Sequence, residues 1–243
     1  MRPVRAIFLD DGGVLSDNTI RAAEWERLIA EYLSPRLGGE PSRWEDANRV
    51  VFEAQLRRWE TWMAEQPLPS FSEFFTSREE NVRWLSGMCE RVGIAIPTDD
   101  ECHALAVETK NYVMPRVRCA FDGAAETVET LAASGYRLFT ASSGTHRELD
   151  AYLTGMGVRE RFGERLYGPD IVQRHKHSVD YYRKVFEDSG IDPAEALVVD
   201  DSAGQVELAR AAGARAVLVS QDARAVDSIA ALRELPQLLD AMR

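Results

Sequence analysis

Lysine is almost missing from this chain: Lys110, Lys176 and Lys184 are the only three in 243 residues, while arginine is common. A lysine at a motif position therefore stands out. Cysteine is nearly as scarce. Cys89, Cys102 and Cys119 have no metal-type spacing, which suggests a reducing compartment, the cytoplasm. No apolar run approaches the roughly 20 residues of a membrane span, and Met1 leads into charged and then strand-like residues with no secretory leader pattern. Positive charge is also short. A net charge of −11 argues against a nucleic-acid or membrane-surface partner, and it suits a small anionic substrate only where a local site reverses the field. The rest is ordinary for a folded protein, with 45% hydrophobic and 28% charged residues and a length that suits one large domain or two modest ones. Internal repeats and low-complexity segments are absent from the sequence.

The stretch on which the chain turns is Ala6-Ile7-Phe8-Leu9-Asp10-Asp11-Gly12-Gly13-Val14-Leu15. A short apolar run bounded by turn residues reads as a buried strand. Its two terminal carboxylates stand where α/β sheets bind ligands, though they would serve equally as a helix cap or a solvated turn. About a hundred residues with helical periodicity follow. The spacing predicts a helix over 19–33, a second from Pro41 through Met63, and a third opened by Ser70 or Ser72 and running through Phe74 and Phe75 to Met88. Thr98 with Glu101 makes a capping box for a fourth helix through Met114. Pro67-Leu68-Pro69 separates the second from the third. All five tryptophans, Trp25, Trp44, Trp59, Trp62 and Trp84, lie in this insert. Helical spacing makes them bundle core, with one or two facing a substrate as the alternative.

From Phe121 helices and strands alternate. Helices are expected over 123–133, 145–153, 178–188 and 203–212, and strands over 136–141, 165–167, 196–199 and 216–220. The tail 222–243 reads as one or two surface helices broken at Pro236. Near-continuous apolar strands between helices argue a doubly wound parallel sheet, α/β in class, with an inserted helical bundle. The expected domains are a Rossmann-like core of 1–16 with 118–243 and a helical domain of 17–117.

Three strands end in polar groups: Asp10-Asp11, Ser142-Ser143 and Asp200-Asp201. All carboxyl ends of a parallel sheet share one edge, so the three sets can meet. Asp10 is a carboxylate able to act as nucleophile and to ligate Mg²⁺. Asp200 and Asp201 complete an oxygen ligand set for such a hard cation. The Ser142 hydroxyl and the backbone N–H groups at the following helix start suit phosphate oxygens, and Lys176 neutralises charge. Taken singly, the carboxylates are helix caps and Lys176 a solvated cation; taken together they make a phosphate site with a metal.

These motifs resemble those of the haloacid dehalogenase superfamily, in the branch whose helical cap is inserted after the first strand. The matching stretches are Asp10-Asp11-Gly12-Gly13-Val14-Leu15, the strand 138–141 running into Ser142-Ser143, Lys176-His177-Ser178-Val179-Asp180-Tyr181-Tyr182, and 197–202 with Asp200-Asp201. The resemblance spans essentially the whole chain. It implies Mg²⁺-dependent phosphoryl transfer from a small phosphorylated metabolite through an aspartyl-phosphate on Asp10. Metal ligands would be Asp10, the Gly12 carbonyl, Asp200 and Asp201. Phosphate would be held by Asp11, Gly12, Ser142, Ser143 and Lys176, with Asp10, Lys176 and Ser142 as the catalytic set. In this branch the cap contributes specificity contacts, which makes Arg21, Arg49 and Arg57 candidates.

One departure stands out. Many family phosphatases carry an aspartate as general acid and base at the position of Gly12. Asp11, one residue earlier, points to the opposite face of an extended chain. A positioned acid is worth roughly 10²–10⁴ in rate, and its loss costs least when the leaving group departs as a stable anion. That predicts a preference for anomeric, acyl or aryl phosphates, with Asp17 or His146 as substitute bases. His175 and His177 flank Lys176 with metal-like spacing but no third ligand nearby. Three rival functions follow. Dehalogenation of 2-haloacids needs no Mg²⁺ and usually lacks the acidic pair of Asp200 and Asp201. Phosphonoacetaldehyde hydrolysis needs a cap lysine, for which only Lys110 is available. A phospho-ligand-binding protein without turnover is the third. Oligomeric state is not legible in the sequence.

Overall fold

The computed structural model describes residues 2–65, 74–222 and 228–242. At its centre Ala6–Leu9 forms β1, with all four residues buried. Alternate side chains of β1 enter opposite layers: Ile7 and Leu9 pack with one apolar cluster, Ala6 and Phe8 with the other. A strand covered on both faces must read as a continuous apolar run, which is why this segment carries no polar alternation. The other strands are β2 (Arg137–Thr140), β3 (Ala196–Asp200), β4 (Arg215–Val219) and β5 (Ser228–Ile229), in the order β2-β1-β3-β4-β5. Every pairing is parallel. Helices α5 (Ala124–Ala133), α6 (His146–Met156) and α10 (Leu235–Ala241) supply side chains to the layer of Ile7. The layer of Phe8 is built by the short α7 (Pro169–Val172), α8 (Val179–Ser189) and α9 (Ala203–Ala211). There Phe8 stacks on Phe139 at 4.8 Å and meets Phe186 edge-on at 5.3 Å. Such aromatic pairs contribute about 0.5–1.5 kcal/mol beyond area burial. The expected doubly wound parallel sheet is the fold observed.

The described residues divide into two compact units. One comprises those up to Asn18 and from Cys119 onward, the other those from Thr19 through Arg118. The second unit holds α1 (Asn18–Leu37) beyond its first residue, α2 (Pro41–Glu65), α3 (Arg78–Val92) and α4 (Asp99–Val113). Within it α3 packs against both α2 and α4. Trp44 and Trp84 are core residues with satisfied indole N–H groups, which donate to Gly38 O (2.9 Å) and Asn48 Oδ1 (3.1 Å). Trp25, Trp59 and Trp62 are only half-buried, the latter two against Phe75 and Phe74. No described helix is long and apolar enough to cross a membrane.

Four expectations need correction or completion. The segment 165–167 is not a strand; this part of the chain contributes only one bridge, Leu138 to Phe162. Just beyond the bridge, the Tyr167 carbonyl accepts from Ser142 N–H and from the Thr140 and Tyr181 hydroxyls, so side chains take the place of a ladder. The tail is not a surface helix. Leu232, Leu235 and Leu239 lie in the main core, and Pro236 sits in the first turn of α10, where its missing N–H costs nothing, instead of breaking a helix. The third helix begins at Arg78 under a Ser77 cap, with Phe74 and Phe75 in the turn before it. The alternative starts Ser70 and Ser72, and the Pro67-Leu68-Pro69 break, lie outside the described residues. The first helix runs past Pro35 to Leu37.

Leu235 is fully buried beneath the sheet. Leu235→Ala should therefore destabilise the protein by about 2–5 kcal/mol, the range for a leucine cavity. Urea unfolding measures this, and a cost below about 0.5 kcal/mol would show that the tail is not part of the core.

Candidate active site

Strand register builds the site. Leu9 pairs with Thr140 on one side and Val199 on the other. The ladder continues past the strand end, with Asp10 N–H on Val199 O (3.0 Å) and Ala141 N–H on Leu9 O (2.9 Å). Asp10 therefore stands between the residue that precedes Ser142 and the fully buried Asp200.

Lys176 joins the two acids. Its Nζ is 3.0 Å from Asp10 Oδ2 and 2.7 Å from Asp200 Oδ2, and it is 2% exposed. Burial opposes its charge, but Asp10 and Asp200 outweigh burial and raise the ammonium pKa, so Lys176 stays protonated. Burial pushes the Asp200 carboxyl up to about 6, against the pull of Lys176 and with a further push from Asp10. Asp201 is raised by desolvation and by Asp10, with Lys176 opposing.

The loop after β1 is closed by its own residues. Asp10 Oδ1 accepts the Asp11 N–H (2.8 Å), and the Asp11 carboxylate accepts the Ser16 hydroxyl (2.8 Å). The Asp11 carbonyl takes the N–H groups of Leu15 and Ser16 at 2.9 and 2.8 Å. Asp11, expected among the phosphate-binding residues, thus has a loop-closing side chain. Gly13 has φ +82°, and a Cβ there would lie 1.9 Å from Asp201 Oδ2. Only glycine permits both that backbone and that approach.

Ser142 is buried, with its Oγ accepting the Gly144 N–H at 3.2 Å, and Ser143 beside it is exposed. The helix start that follows was expected to offer backbone N–H groups to phosphate. Most of them are already used. Thr145 N–H and Glu148 N–H are consumed by the Thr145–Glu148 capping box, and His146 N–H donates to both oxygens of Asp170 at 3.0 and 3.1 Å. Ser142 Oγ and Ser143 remain as the groups this loop can present.

Tyr181, in α8, fixes the Ser142 loop, a role that its place in the 176–182 motif did not reveal. Its buried hydroxyl bridges Ser142 O (3.1 Å) and Tyr167 O (3.0 Å). Burial, and secondarily Asp10, hold its pKa far above the usual phenol value, so it remains a donor. On the amphipathic pattern of α8 it is indistinguishable from a core tyrosine.

One oxygen each of Asp10, Asp200 and Asp201 lies within 4.8 Å of the others, the only such cluster of acids, histidines or cysteines among the described residues. Asp200 Oδ2 is buried and, although in ion-pair contact with Lys176, accepts no well-directed hydrogen bond. Three carboxylates against one ammonium leave excess negative charge at an all-oxygen site. This donor set fits a hard divalent cation.

The remaining candidates have other partners. His146 Nδ1 accepts the Leu166 N–H (3.2 Å), and Asp17 donates its N–H to Cys119 O (2.7 Å). His175 is buried, whereas His177 is exposed and its Nδ1 is hydrogen-bonded to Gln205 Nε2 (3.1 Å); among the described residues the pair belongs to no cluster that could hold a metal. Lys110 donates to Phe75 O (2.8 Å) and Asn81 Oδ1 (2.6 Å), which ties it to a structural task in the helical unit. Arg49 is paired with Glu26 and Asp46, Arg57 faces Glu53 at 4.0 Å, and Arg21 is half-buried in α1.

With a parallel sheet, a helical insert after its first strand and acids at the ends of adjacent strands, the chain has the layout of one hydrolase class. Over residues 4–213 it matches the haloacid dehalogenase-like hydrolases, and it belongs to that family. It is 33% identical over 119 residues to the protein CbbY of Rhodobacter capsulatus, a match covering 48% of this chain and 52% of CbbY. An uncharacterized protein of Lacticaseibacillus casei is 31% identical over 111 residues, 44% of this chain and 50% of that one. The chain thus spans about half the length of these relatives. Among solved structures, the magnesium-bound HAD-hydrolase YfnB of Bacillus subtilis superposes with a TM-score of 0.67 at 17% identity, covering 98% of this chain and all of that one. The L-2-haloacid dehalogenase of Xanthobacter autotrophicus gives 0.63 at 20%, covering 99% of this chain and all of that one. These identities establish a shared fold.

Two substitutions probe the site's construction. Lys176→Met should cost about 3–5 kcal/mol by leaving buried carboxylates unpaired, as measured by chemical denaturation in metal-free buffer. Gly13→Ala should displace Asp201 and weaken divalent-cation binding at least severalfold; titration calorimetry giving an unchanged affinity would contradict this.

Proposed function

We propose that this protein is a Mg²⁺-dependent phosphohydrolase of small phosphorylated metabolites that works through an aspartyl-phosphate on Asp10. The observation that carries this reading is the buried Lys176 ammonium held between Asp10 and Asp200, with Asp201 completing an oxygen donor set. Asp10, Asp200, Asp201 and the Gly12 carbonyl would hold the cation. Bound there, Mg²⁺ would neutralise phosphate charge and orient the phosphoryl group.

The chain's own residues supply the rest. Asp10 lies 3.0 Å from the Lys176 ammonium and presents an oxygen to phosphorus. Lys176 stabilises charge on the equatorial phosphoryl oxygens without having to reorganise. Ser142 Oγ, on a loop fixed by Tyr181, and Ser143 orient those oxygens. Water then attacks the phosphorus of the aspartyl-phosphate and regenerates Asp10. A reducing compartment, the cytoplasm, suits three buried free cysteines, and the acidic chain suits neither nucleic acid nor a membrane surface. Metal-free dehalogenation of 2-haloacids is less well supported, because it leaves the Asp200–Asp201 pair without a task.

Wild-type protein should hydrolyse p-nitrophenyl phosphate only with Mg²⁺, and Asp10→Asn should reduce kcat by more than about 10³-fold, since the nucleophile itself is lost. Mg²⁺ should also raise the Tm of the wild type and do so less for Asp200→Asn. Halide release from 2-chloropropionate without metal, with no phosphatase activity, would replace this reading by the dehalogenase.

A further inference from the structure

Asn18 is the first residue of α1 and is exposed, yet its carboxamide lies directly on the loop that follows Asp10. A Cβ placed on Gly12 would fall 2.7 Å from Asn18 Oδ1 and 3.0 Å from Nδ2. Real Cβ atoms do not approach so closely, so the Asn18 amide occupies the volume that a side chain at position 12 would take. The same placement at Gly13 meets Asp201. The Gly12–Gly13 backbone is therefore flanked by a carboxylate of the candidate metal cluster and by a carboxamide, and the absence of two β-carbons lets both close in.

The direction of the reaction makes this position useful. Asp200 and Lys176 are buried and close the inner side of Asp10. In an in-line displacement the leaving oxygen stands on the far side of phosphorus from the nucleophile, and hence on the outer side, where Asn18 is exposed. Resting on the phosphohydrolase reading above, we infer that Asn18 is a specificity-determining residue: its amide N–H donates a hydrogen bond to the leaving oxygen and, having no proton to transfer, restricts the enzyme to aryl, acyl and anomeric phosphates. An Asp10 oxygen forms a bond to phosphorus as the phosphorus–leaving-oxygen bond breaks, and the electron pair departs with that oxygen. The resulting anion is hydrogen-bonded by Asn18 and takes its proton from water. A second water then attacks phosphorus, the bond to Asp10 breaks, and orthophosphate leaves with the proton balance in solvent. A simple alkoxide is too basic to leave by this route.

The test compares wild type, Asn18→Asp and Asn18→Ala on p-nitrophenyl phosphate and glycerol phosphate, with the Mg²⁺-dependent Tm shift as the measure of an intact, metal-binding fold. Wild type should favour the aryl ester strongly. Asn18→Asp supplies a transferable proton at the same place and should raise kcat for glycerol phosphate relative to the aryl ester by at least about tenfold, the lower end of what a positioned acid contributes being larger still. Asn18→Ala should lower kcat on p-nitrophenyl phosphate severalfold with little change in KM. Equal effects of Asn18→Asp on both substrates, or an effect of Asn18→Ala on KM alone, overturn the role of Asn18 while leaving the phosphohydrolase intact. A wild type that binds Mg²⁺ but hydrolyses neither ester removes the phosphohydrolase reading, and the proposal with it.

Discussion

A single buried ammonium makes this site possible. Asp10 and Asp200 end neighbouring parallel strands, and the register brings their carboxylates to the same edge. Two like charges so placed, one of them fully buried, would drive a carboxyl to its neutral form. Lys176 lies within 3.0 Å of both and opposes that push on Asp200. Because one cation cannot balance three acids, the cluster keeps the negative excess and all-oxygen character that suit a hard divalent ion.

The surroundings keep that lysine in place. Lys176 precedes α8, whose Ser178 cap accepts the Tyr181 N–H. Tyr182 donates to Gln205, whose amide meets His177, so the residue after the lysine is tied to α9. The Tyr181 hydroxyl then links α8 to the Ser142 loop. Each of the three segments that meet at the site is thus anchored through α8 or through its own loop hydrogen bonds. A lysine at this position in an arginine-rich chain follows from geometry: a compact ammonium fits between two oxygens where a planar guanidinium would be oversized.

Much of the fold was legible because its periodicities are strong. β1, β3 and the helices between Gly123 and Gly213 follow apolar runs and caps that local chemistry dictates, and the Thr98–Glu101 capping box forms as its spacing requires. The misreadings fall where tertiary contacts override local pattern. The 165–167 segment has strand-like composition, but its Tyr167 carbonyl accepts from side-chain hydroxyls and one loop N–H, and no ladder forms. The tail looked like a surface helix because Pro236 resembled a break, whereas a proline in a first turn is compatible with a helix that buries Leu235 and Leu239. The α6 N-terminus looked like an anion cradle, yet Asp170, 24 residues away in sequence, has taken the His146 N–H.

By itself the sequence determined the strand-to-acid transitions at Asp10 and Asp200, the strand-to-serine transition at Ser142, the lone motif lysine, and the helical insert after the first strand. These are local patterns, and local stereochemistry suffices to read them. Tertiary structure decided which of them meet: β1 lies between β2 and β3, so Asp10 has Ser142's strand on one side and Asp200's on the other. It also decided what no spacing could reveal, the Tyr181 bridge to Ser142 and the approach of Asn18 to Gly12. Both depend on ångström-scale distances between side chain and backbone that the assembled core and loop fix.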